Sequence, residues 1–286
     1  MASAMILAAG LGTRLRPLTD LLPKPLVPVG DRSMLSHVVD RVRSAGCSPI
    51  VVNAHHHASV VAKACAELGA VVSREDEDLL GTAGGLSLAR PLLGEGDVLV
   101  HNGDVLASAS LTLLIDAHEA REAAATLLVV QREPGEGNVG WDDHGRVVRL
   151  RKETFAEGET SAGDFTGIHV VSDRVELPSR GCMVGDVYVP RLRGKAADLY
   201  VYSASEFVDV GSPAGYLAAN LAWLESHDLN AWVDDDVVID PRVTVDHCVI
   251  GAGATIEGEG VLARSVVWPG AIAVAPLADA IVTPRK

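Results

Sequence analysis

The sequence predicts an α/β fold: a mostly parallel sheet flanked by helices, followed by a short C-terminal β-helix of hexapeptide repeats. Three observations lead to this prediction. Short apolar strands alternate with amphipathic helices through most of the chain, and this order favours parallel strands with helices on both faces. Between about residues 141 and 205, strand-like segments follow one another with few helices. From about Val238 the pattern has a period of six residues.

The alternating elements can be followed in order along the chain. The strand AMILAAG precedes the helix SMLSHVVDRVRSAG, whose apolar residues share one face and which ends at Gly46. The strand PIVVNAH and the helix HASVVAKACAELG come next. The alternation continues through the segments AVVSRE, TAGGLSLAR, DVLVHNGD, SLTLLIDAHEAREA and ATLLVVQ. After the strand EFVDVG, Ser212 and Pro213 are predicted as the N-cap and first residue of a last helix.

Two domains are predicted. Residues 1–230 form the α/β domain, in which about 141–205 are an insertion, and residues 231–286 form the short β-helix. The first places of seven successive hexads are occupied by Val238, Thr244, Ile250, Ile256, Leu262, Trp268 and Val274. A repeat of six residues with glycine clusters is typical of a solenoid. Since the segment supplies only about two coils, we expect it to pack on the main domain or on another subunit, which makes a homo-oligomer possible.

The composition narrows the class of partner. The 286 residues carry a net charge of −14 and only 4% aromatic residues, which disfavours nucleic acid and anionic membranes as partners. No apolar run approaches the ~20 residues of a membrane span, and the N-terminus lacks the features of a signal peptide. The four cysteines are scattered without zinc-site spacing. These features predict a soluble, cytoplasmic protein.

The stretch LAAGLGTRLRPLTDLLPKPLVPVG, residues 7–30, places glycines, cations and prolines directly after a strand. Gly10 and Gly12 allow backbone N–H groups to approach a ligand closely. Arg14 can hold phosphate oxygens with its planar guanidinium. Lys24 stands between two prolines that stiffen the backbone around it. The stretch therefore predicts a phosphate-bearing ligand, although it contains neither a Walker A sequence nor the GxGxxG fingerprint.

This stretch resembles the signature GxGxRxxPxTxxxPKPLxPV of the sugar-1-phosphate nucleotidylyltransferases. The matching residues are Gly10, Gly12, Arg14, Pro17, Thr19, Pro23, Lys24, Pro25, Leu26, Pro28 and Val29. The resemblance implies a Rossmann-like fold of the nucleotide-diphospho-sugar transferase type, with a left-handed β-helix. It also implies a reaction in which a nucleoside triphosphate and a sugar 1-phosphate give an NDP-sugar and pyrophosphate.

The resemblance further implies which residues bind the nucleotide. They are Leu7, Ala8, Ala9, Gly10, Gly12, Thr13 and Arg14 of the signature segment, and Gly81, Thr82, Ala83 and Gly84 of the segment LGTAGG. Arg14 and Lys24 are expected to act on the phosphates as catalytic residues. The LGTAG motif is more similar to that of mannose-1-phosphate guanylyltransferases than to that of thymidylyltransferases of glucose 1-phosphate.

Two aspartates are candidate metal ligands. Asp104 ends the strand of VLVHNGDVL, and Asp209 ends that of FVDVGSP. Ligands of α/β folds bind at the carboxyl ends of the strands, and Mg²⁺ prefers oxygen ligands supplemented by phosphates and water. In the family that this chain resembles, the matching aspartates bind the metal, so Mg²⁺ is the expected cofactor.

Three residues are candidates for the sugar 1-phosphate. Lys152 in GRVVRLRKETF aligns with the family lysine that holds the sugar phosphate, and it is expected to be catalytic; Arg149 and Arg151 are alternatives. Asp164 and Gly167 lie in DFTGIHVV, the segment that corresponds to the family's sugar-contacting strand. Phenylalanine and threonine replace the usual Asn-Ala there, as an aromatic residue does in the N-acetylmuramate-1-phosphate uridylyltransferases.

Several alternatives remain at this point. GTP with mannose 1-phosphate is the leading substrate pair, and uridylyl or thymidylyl transfer to a glucose, heptose or N-acetylmuramate type of sugar is the alternative. A regulatory subunit that binds an NDP-sugar without catalysis is a different class. The hexad tail is too short for the acyltransferases built on long solenoids. The histidines of NAHHHAS are interpreted as a loop, because consecutive side chains point in different directions.

Overall fold

The computed structural model describes residues 2–204 and 207–285. The helices are α1 (Met34–Ser44), α2 (Ala58–Glu67), α3 (Gly81–Leu93), α4 (Leu111–Glu119), α5 (Val189–Arg193) and α6 (Pro213–Ser226). Short 3₁₀ helices cover Thr13–Leu15, Leu18–Asp20 and Lys24–Leu26, and a π-helical segment covers Met183–Tyr188.

The strands follow the same chain order. They are β1 (Ser3–Leu7), β2 (Pro28–Val29), β3 (Arg32–Ser33), β4 (Ile50–Ala54), β5 (Val71–Arg74), β6 (Val98–Asn102), β7 (Val105–Ala107), β8 (Ala125–Arg132), β9 (Val139–Trp141), β10 (Val147–Leu150), β11 (Glu153–Thr154), β12 (Ser161–Val171), β13 (Leu199–Ala204), β14 (Phe207–Asp209), β15 (Ala231–Val233), β16 (Val238–Ile239), β17 (Val243–Asp246), β18 (Cys248–Ile250), β19 (Thr255–Ala263), β20 (Val266–Val267), β21 (Ile272–Ala278) and β22 (Ile281–Val282).

The chain divides into two compact units. The first comprises residues 1–11 and 36–207, and the second comprises residues 12–35 and 208–286. The signature segment after Leu11 thus groups with α6 and the C-terminal repeats, whereas the sequence led us to expect one domain up to residue 230. One physical reason lies inside the second unit, where the indole of Trp223 packs directly on the backbone of Gly30. The boundary at 230 stays a prediction.

The first unit is built around a ten-stranded sheet. The strand order β5-β4-β1-β6 is parallel throughout, as the β-α-β alternation predicted. The long strand β12 then joins β6, β8 and β9 antiparallel, and β8 pairs in parallel with β13. Apolar side chains of these strands and of α3 form a buried core. The strands predicted for the insertion therefore extend the same sheet.

The register of the parallel strands fixes where polar side chains emerge. Leu7 of β1 pairs with Asn53 of β4 on one side and with Asn102 of β6 on the other, and Asn53 pairs with Ser73 of β5. The carboxyl ends of four strands therefore lie in one row. Ligands of open α/β sheets bind at this edge, and the residues that follow these strands are the candidates for a site.

The second unit begins with the signature segment and ends with the repeats. Within it, β2 and β3 form a hairpin in which Pro28 pairs with Ser33. The predicted start of α6 is confirmed: Pro213 is its first residue, and the Ser212 hydroxyl accepts a hydrogen bond from the Gly215 N–H at 3.2 Å. The indole N–H of Trp268, in the repeats, donates to the Tyr216 hydroxyl of α6 at 2.9 Å. The repeats therefore pack against α6.

The C-terminal strands pair in parallel coils, as expected of a solenoid, but the coil is not three hexads long. Val238 pairs with Thr255 and Thr255 with Ile272, a step of 17 residues (255 − 238 and 272 − 255). Three hexads would give 18. The central first-place residues Ile250, Ile256, Leu262 and Trp268 are buried, whereas Val238, Thr244 and Val274 are exposed.

The step of 17 residues explains why some first-place residues are buried and others are exposed. Ile256 pairs with Ile239 in one neighbouring coil and with Ala273 in the other. A step of 18 residues would instead have aligned Ile256 with Val238 and Val274, so each observed neighbour is displaced by one position. Adjacent residues of a strand point to opposite faces. The inward row is therefore Ile239, Ile256 and Ala273, and the outward side chains of Val238 and Val274 are 62% and 59% exposed.

None of the helices in residues 2–204 and 207–285 combines the length and the apolar character that crossing a membrane requires.

Candidate active site

The signature loop is held in a tight conformation by its own side chains. Gly12 adopts φ +65°, a left-handed conformation that favours glycine. The Thr19 hydroxyl donates a hydrogen bond to the Gly12 carbonyl at 2.9 Å. A methyl group on Gly12 would lie 2.8 Å from the Thr19 Cγ2 and 3.1 Å from the Lys24 Cβ. Gly12, Thr19 and Lys24 are therefore packed together, which explains why the signature requires a glycine here.

Two other charged residues with a predicted function, Arg14 and Asp209, form an ion pair within the second unit. The Arg14 guanidinium lies 3.6 Å from the Asp209 carboxylate, and the two side chains are 68% and 45% exposed. The Gly211 N–H donates to the other Asp209 carboxylate oxygen at 2.7 Å. A methyl group on Gly211 would lie 2.6 Å from that oxygen and 2.8 Å from the Arg14 guanidinium. The turn after β14 thus places a carboxylate beside an exposed cation.

Asp104 is positioned by the end of β6. It is half-buried in the turn between β6 and β7, and the preceding Gly103 N–H donates to the Leu7 carbonyl at 2.9 Å. Asn102 packs directly on Gly167 of β12, where a side chain would overlap the Asn102 amide. Gly167 has φ +82° and lies within an irregularity of β12. The first unit therefore joins the strand end that carries Asp104 to the predicted sugar segment.

The predicted nucleobase segment begins α3 and packs closely on another backbone segment. The Ala83 N–H donates to the Gly181 carbonyl at 2.9 Å, and the Met183 N–H donates to the Thr82 hydroxyl at 2.8 Å. Gly81 leaves no room for a methyl group against the Gly181 carbonyl. Small residues are therefore needed at 81–84 partly because this segment packs against the backbone around Gly181.

Two functional candidates were missed by the sequence analysis. Asn53 in β4 and Glu75 after β5 are both 3% exposed. The Asn53 amide oxygen accepts from the Ala8 N–H at 2.6 Å, and its NH₂ donates to Glu75 at 2.7 Å. Glu75 also accepts from the Leu80 N–H at 2.9 Å. The available signal was a polar residue at or just after the carboxyl end of each of two strands, of which β4 is fully buried.

The structure gives the predicted sugar residue Asp164 a partner within the chain. The Arg132 guanidinium donates to the Asp164 carboxylate at 2.8 Å. The neighbouring Phe165 N–H donates to the Asn138 side chain at 2.9 Å. A ligand hydroxyl at Asp164 would therefore meet an ion pair.

Lys152 lies at the exposed turn between β10 and β11 and lines a cavity of about 560 Å³. The cavity is lined by Leu150, Arg151, Lys152, Glu153, Gly185, Val189 and Arg193. Arg193 is paired with Glu153 at 2.7 Å, and the alternative cation Arg149 is paired with Glu159 at 2.8 Å. Among the described residues, no carboxylate lies within 4 Å of the Lys152 ammonium. Lys152 is therefore better placed than Arg149 to receive an anion.

The two candidate aspartates have the donor chemistry that Mg²⁺ prefers. Asp104 and Asp209 supply hard oxygen donors, the class that Mg²⁺ prefers. In the described part of the chain, no group of three or more His, Cys, Asp or Glu side chains could hold a metal alone. Each carboxylate taken alone is a suitable ligand for an ion that completes its coordination with phosphate oxygens and water, as Mg²⁺ does in nucleotide sites.

Several known proteins are similar to this chain. Mannose-1-phosphate guanylyltransferase of Mycobacterium tuberculosis is 29% identical, over 93% of this chain and 80% of the relative. N-acetylmuramate alpha-1-phosphate uridylyltransferase of Caulobacter vibrioides is 31% identical, over 78% of this chain and 97% of the relative. HddC from Yersinia pseudotuberculosis, solved in complex with GMP-PN, has a TM-score of 0.63 at 20% identity, covering 78% of this chain and 100% of that one.

The structural similarity confirms the predicted α/β fold. The C-terminal strands are consistent with the predicted β-helix, and both the β-helix and its left-handedness stay predictions. Residues 3–226 match the family model described as nucleotidyl transferase. Since the match spans most of the chain, this protein belongs to the nucleotidyl transferase family.

Proposed function

We propose that this protein is a sugar-1-phosphate nucleotidylyltransferase that forms an NDP-sugar and pyrophosphate, with GTP and mannose 1-phosphate as the leading substrates. The observation that carries the proposal is the family match over residues 3–226, together with an intact set of cations and carboxylates. Arg14, Lys24, Asp104 and Asp209 are all present. A regulatory subunit without catalysis would be expected to have lost members of this set.

The proposed reaction is an in-line displacement at the α-phosphorus. An oxygen of the sugar 1-phosphate forms the new P–O bond, the bond to the β-phosphate breaks, and pyrophosphate leaves with that electron pair. The nucleophile is already an anion, so no general base is needed. Catalysis then depends on positioning and on neutralisation of charge.

Each cation has a distinct role in this proposal. Arg14 binds the β- and γ-phosphates, for which a planar, doubly donating guanidinium is suited. Lys24, held by the prolines around it, neutralises the α-phosphate as negative charge shifts toward the leaving group. Lys152 binds the phosphate of the sugar, and this role is supported by the absence, among the described residues, of a carboxylate within 4 Å of its ammonium. The triphosphate is held by Gly12, Thr13 and Arg14. The base is contacted by Leu7, Ala8, Ala9, Gly10 and residues 81–84.

Asp104 and Asp209 would hold Mg²⁺. When bound, the ion would neutralise phosphate charge and help to orient the triphosphate. The Arg14–Asp209 pair is compatible with this assignment, because exposed ion pairs contribute only about 0–1 kcal/mol. Each partner can therefore exchange the other for a phosphate or a metal ion at little cost.

The second candidate is uridylyl transfer to a sugar of the N-acetylmuramate type. The Caulobacter relative supports it, since that protein is a uridylyltransferase and this chain covers 97% of its length. The Phe165-Thr166 pair, where the family signature has Asn-Ala, favours the same alternative. The guanylyl assignment is supported by the Mycobacterium relative, which aligns over 93% of this chain.

The test is a turnover grid of four nucleoside triphosphates against mannose, glucose, heptose and N-acetylmuramate 1-phosphates, with Mg²⁺ and with pyrophosphate release as the measurement. We expect GTP with mannose 1-phosphate to give the highest kcat/KM. A maximum with UTP and N-acetylmuramate 1-phosphate would replace the leading pair by the alternative. No pyrophosphate from any pair would contradict the proposed reaction.

A further inference from the structure

Two buried polar residues link the segments that we propose to hold the nucleobase. Asn53 lies in β4, Glu75 directly follows β5, and each is 3% exposed. The family signature gives neither residue a role. Because a buried polar group is costly unless it is hydrogen-bonded, the partners of this pair indicate what it does.

Asn53 faces the end of β1. Its amide oxygen accepts hydrogen bonds from the Ala8 N–H at 2.6 Å and from the Ala9 N–H at 3.3 Å. Both donors belong to the first proposed nucleotide-binding segment. Asn53 therefore fixes the orientation of two successive peptide groups where the chain leaves the sheet.

Glu75 faces the start of α3. One carboxylate oxygen accepts from the Asn53 NH₂ at 2.7 Å, and the other accepts from the Leu80 N–H at 2.9 Å. Leu80 directly precedes Gly81, the first residue of the second proposed nucleotide-binding segment. The Glu75 backbone is held as well, because its carbonyl accepts from the His55 Nδ1 at 2.6 Å.

The helix sits directly on this pair. A methyl group on Gly85 of α3 would lie 2.8 Å from the Glu75 carboxylate and 2.9 Å from the Asn53 NH₂. Such distances leave no room for a side chain. The absence of a side chain at 85 lets the first turns of α3 approach the Asn53–Glu75 pair closely.

We infer that Asn53 and Glu75 are positioning residues that hold the two sides of the base site at a fixed spacing. The inference rests on the proposed function, because residues 8–9 and 81–84 are assigned to the nucleotide there. The pair works through one direction of hydrogen bonding: Ala8 N–H to Asn53, Asn53 NH₂ to Glu75, and Leu80 N–H to Glu75. Each acceptor and donor is specified by its neighbour.

The fixed direction of these hydrogen bonds can be tested by exchanging the donor and acceptor groups. In Glu75→Gln, the new amide can accept from Leu80 only by turning its NH₂ toward the Asn53 NH₂, which places two donors together. In Asn53→Asp, two carboxylates face each other. The double variant Asn53→Asp/Glu75→Gln restores every pair, since the new carboxylate accepts from Ala8 and from the new amide. The exposed Glu77→Gln is the control, because it removes the same charge two residues away.

The measurements are the KM for GTP (or for UTP, if the turnover grid selects it), the KM for the sugar 1-phosphate, and the urea unfolding curve. We expect each single variant to raise the nucleotide KM about tenfold or more, as for a mispaired buried group. The sugar KM should change less than about twofold, and the double variant should return to within about threefold of wild type. A purely structural role would lower the unfolding free energy and the fraction of active enzyme, and hence the apparent kcat, without raising the nucleotide KM.

Unchanged nucleotide KM in the single variants would overturn the inference. So would a double variant that is as impaired as the sum of the singles. If a single variant does not fold, the double variant decides: a wild-type nucleotide KM supports the coupled pair, and a raised one overturns it. A wild-type enzyme that releases no pyrophosphate with any substrate pair would instead overturn the proposed function, so the two failures are distinguishable.

Discussion

The Arg14 guanidinium lies 3.6 Å from the Asp209 carboxylate. The two residues are far apart in sequence, and we propose different tasks for them: Arg14 binds phosphate and Asp209 binds a metal ion. Their proximity means that phosphates and metal would be bound next to each other. It also means that a change which separates this pair should impair nucleotide binding without unfolding the protein, since both side chains are well exposed.

Gly211→Ala tests that relationship. The new methyl group would lie 2.6 Å from the Asp209 carboxylate and 2.8 Å from the Arg14 guanidinium, so both charged groups must move. We expect kcat/KM for the nucleotide to fall about tenfold, because small displacements of positioning groups are costly. The urea unfolding curve should shift by less than about 1 kcal/mol. Unchanged kcat/KM would show that the positions of these two groups do not matter for turnover.

Gly30→Ala tests the packing that holds the signature segment on α6. Gly30 has φ +60°, its N–H donates to the Asn220 side chain at 2.9 Å, and a methyl group there would overlap the Trp223 indole. We expect a loss of about 2 kcal/mol or more in the free energy of unfolding, from overpacking and left-handed strain. The matched control is Gly46→Ala, where φ is +79° and no atom lies within 4 Å of the new methyl group. Equal losses in both variants would mean that the Trp223 contact adds nothing.

The buried histidines predict how stability depends on pH. Burial lowers the pKa of His101 to about 4 and of His169 to about 3, whereas an unfolded histidine titrates near 6.5, roughly. Between these values the unfolded chain binds more protons than the folded one. The free energy of unfolding should therefore fall as the pH drops from about 6.5 toward about 4.

His169→Leu separates the contribution of one histidine. Removing one proton of difference should flatten the slope of unfolding free energy against pH by about 1.4 kcal/mol per pH unit between roughly pH 4 and 6. The measurement is a series of urea unfolding curves over this range, and an unaltered slope would mean that His169 titrates normally in the folded protein.

Lys152→Ala tests the proposed sugar-phosphate contact. Loss of one charge-assisted hydrogen bond should raise the KM for the sugar 1-phosphate about tenfold or more and leave the nucleotide KM within about twofold. Steady-state kinetics with each substrate varied in turn measure both values. A rise confined to the nucleotide KM would remove Lys152 from the sugar site and make Arg151, which lines the same cavity, the next candidate.

Much of the fold could be predicted because it depends on local patterns. The alternation of apolar strands and helices predicted the parallel strands β1, β4, β5 and β6, and Ser212-Pro213 predicted where α6 begins. The predicted coil length was wrong by one residue in the coils that contain Ile239, Ile256 and Ala273. The coil length is set by strand pairing between coils rather than by the hexad in the sequence. That single residue reverses which of Val238 and Ile239 points inward.

The candidate site was predictable where a motif is contiguous and not where it depends on register. Gly12, Arg14 and Lys24 belong to one signature, so the sequence alone brought them together. Asn53 and Glu75 are joined only because β1, β4 and β5 are neighbours in the sheet, which no local pattern shows. The partner of Asp164 was missed for the same reason, because Arg132 reaches it from the adjacent strand β8.

The most direct test of the account is the pyrophosphate release rate of Lys24→Ala with saturating substrates and Mg²⁺. Removing a preorganised charge at the reacting phosphate should lower kcat at least ~100-fold. The control Lys63→Ala, which removes an exposed lysine of α2, should keep wild-type kcat. A Lys24→Ala enzyme that turns over at a near-normal rate would contradict the assignment of the signature loop as the catalytic centre.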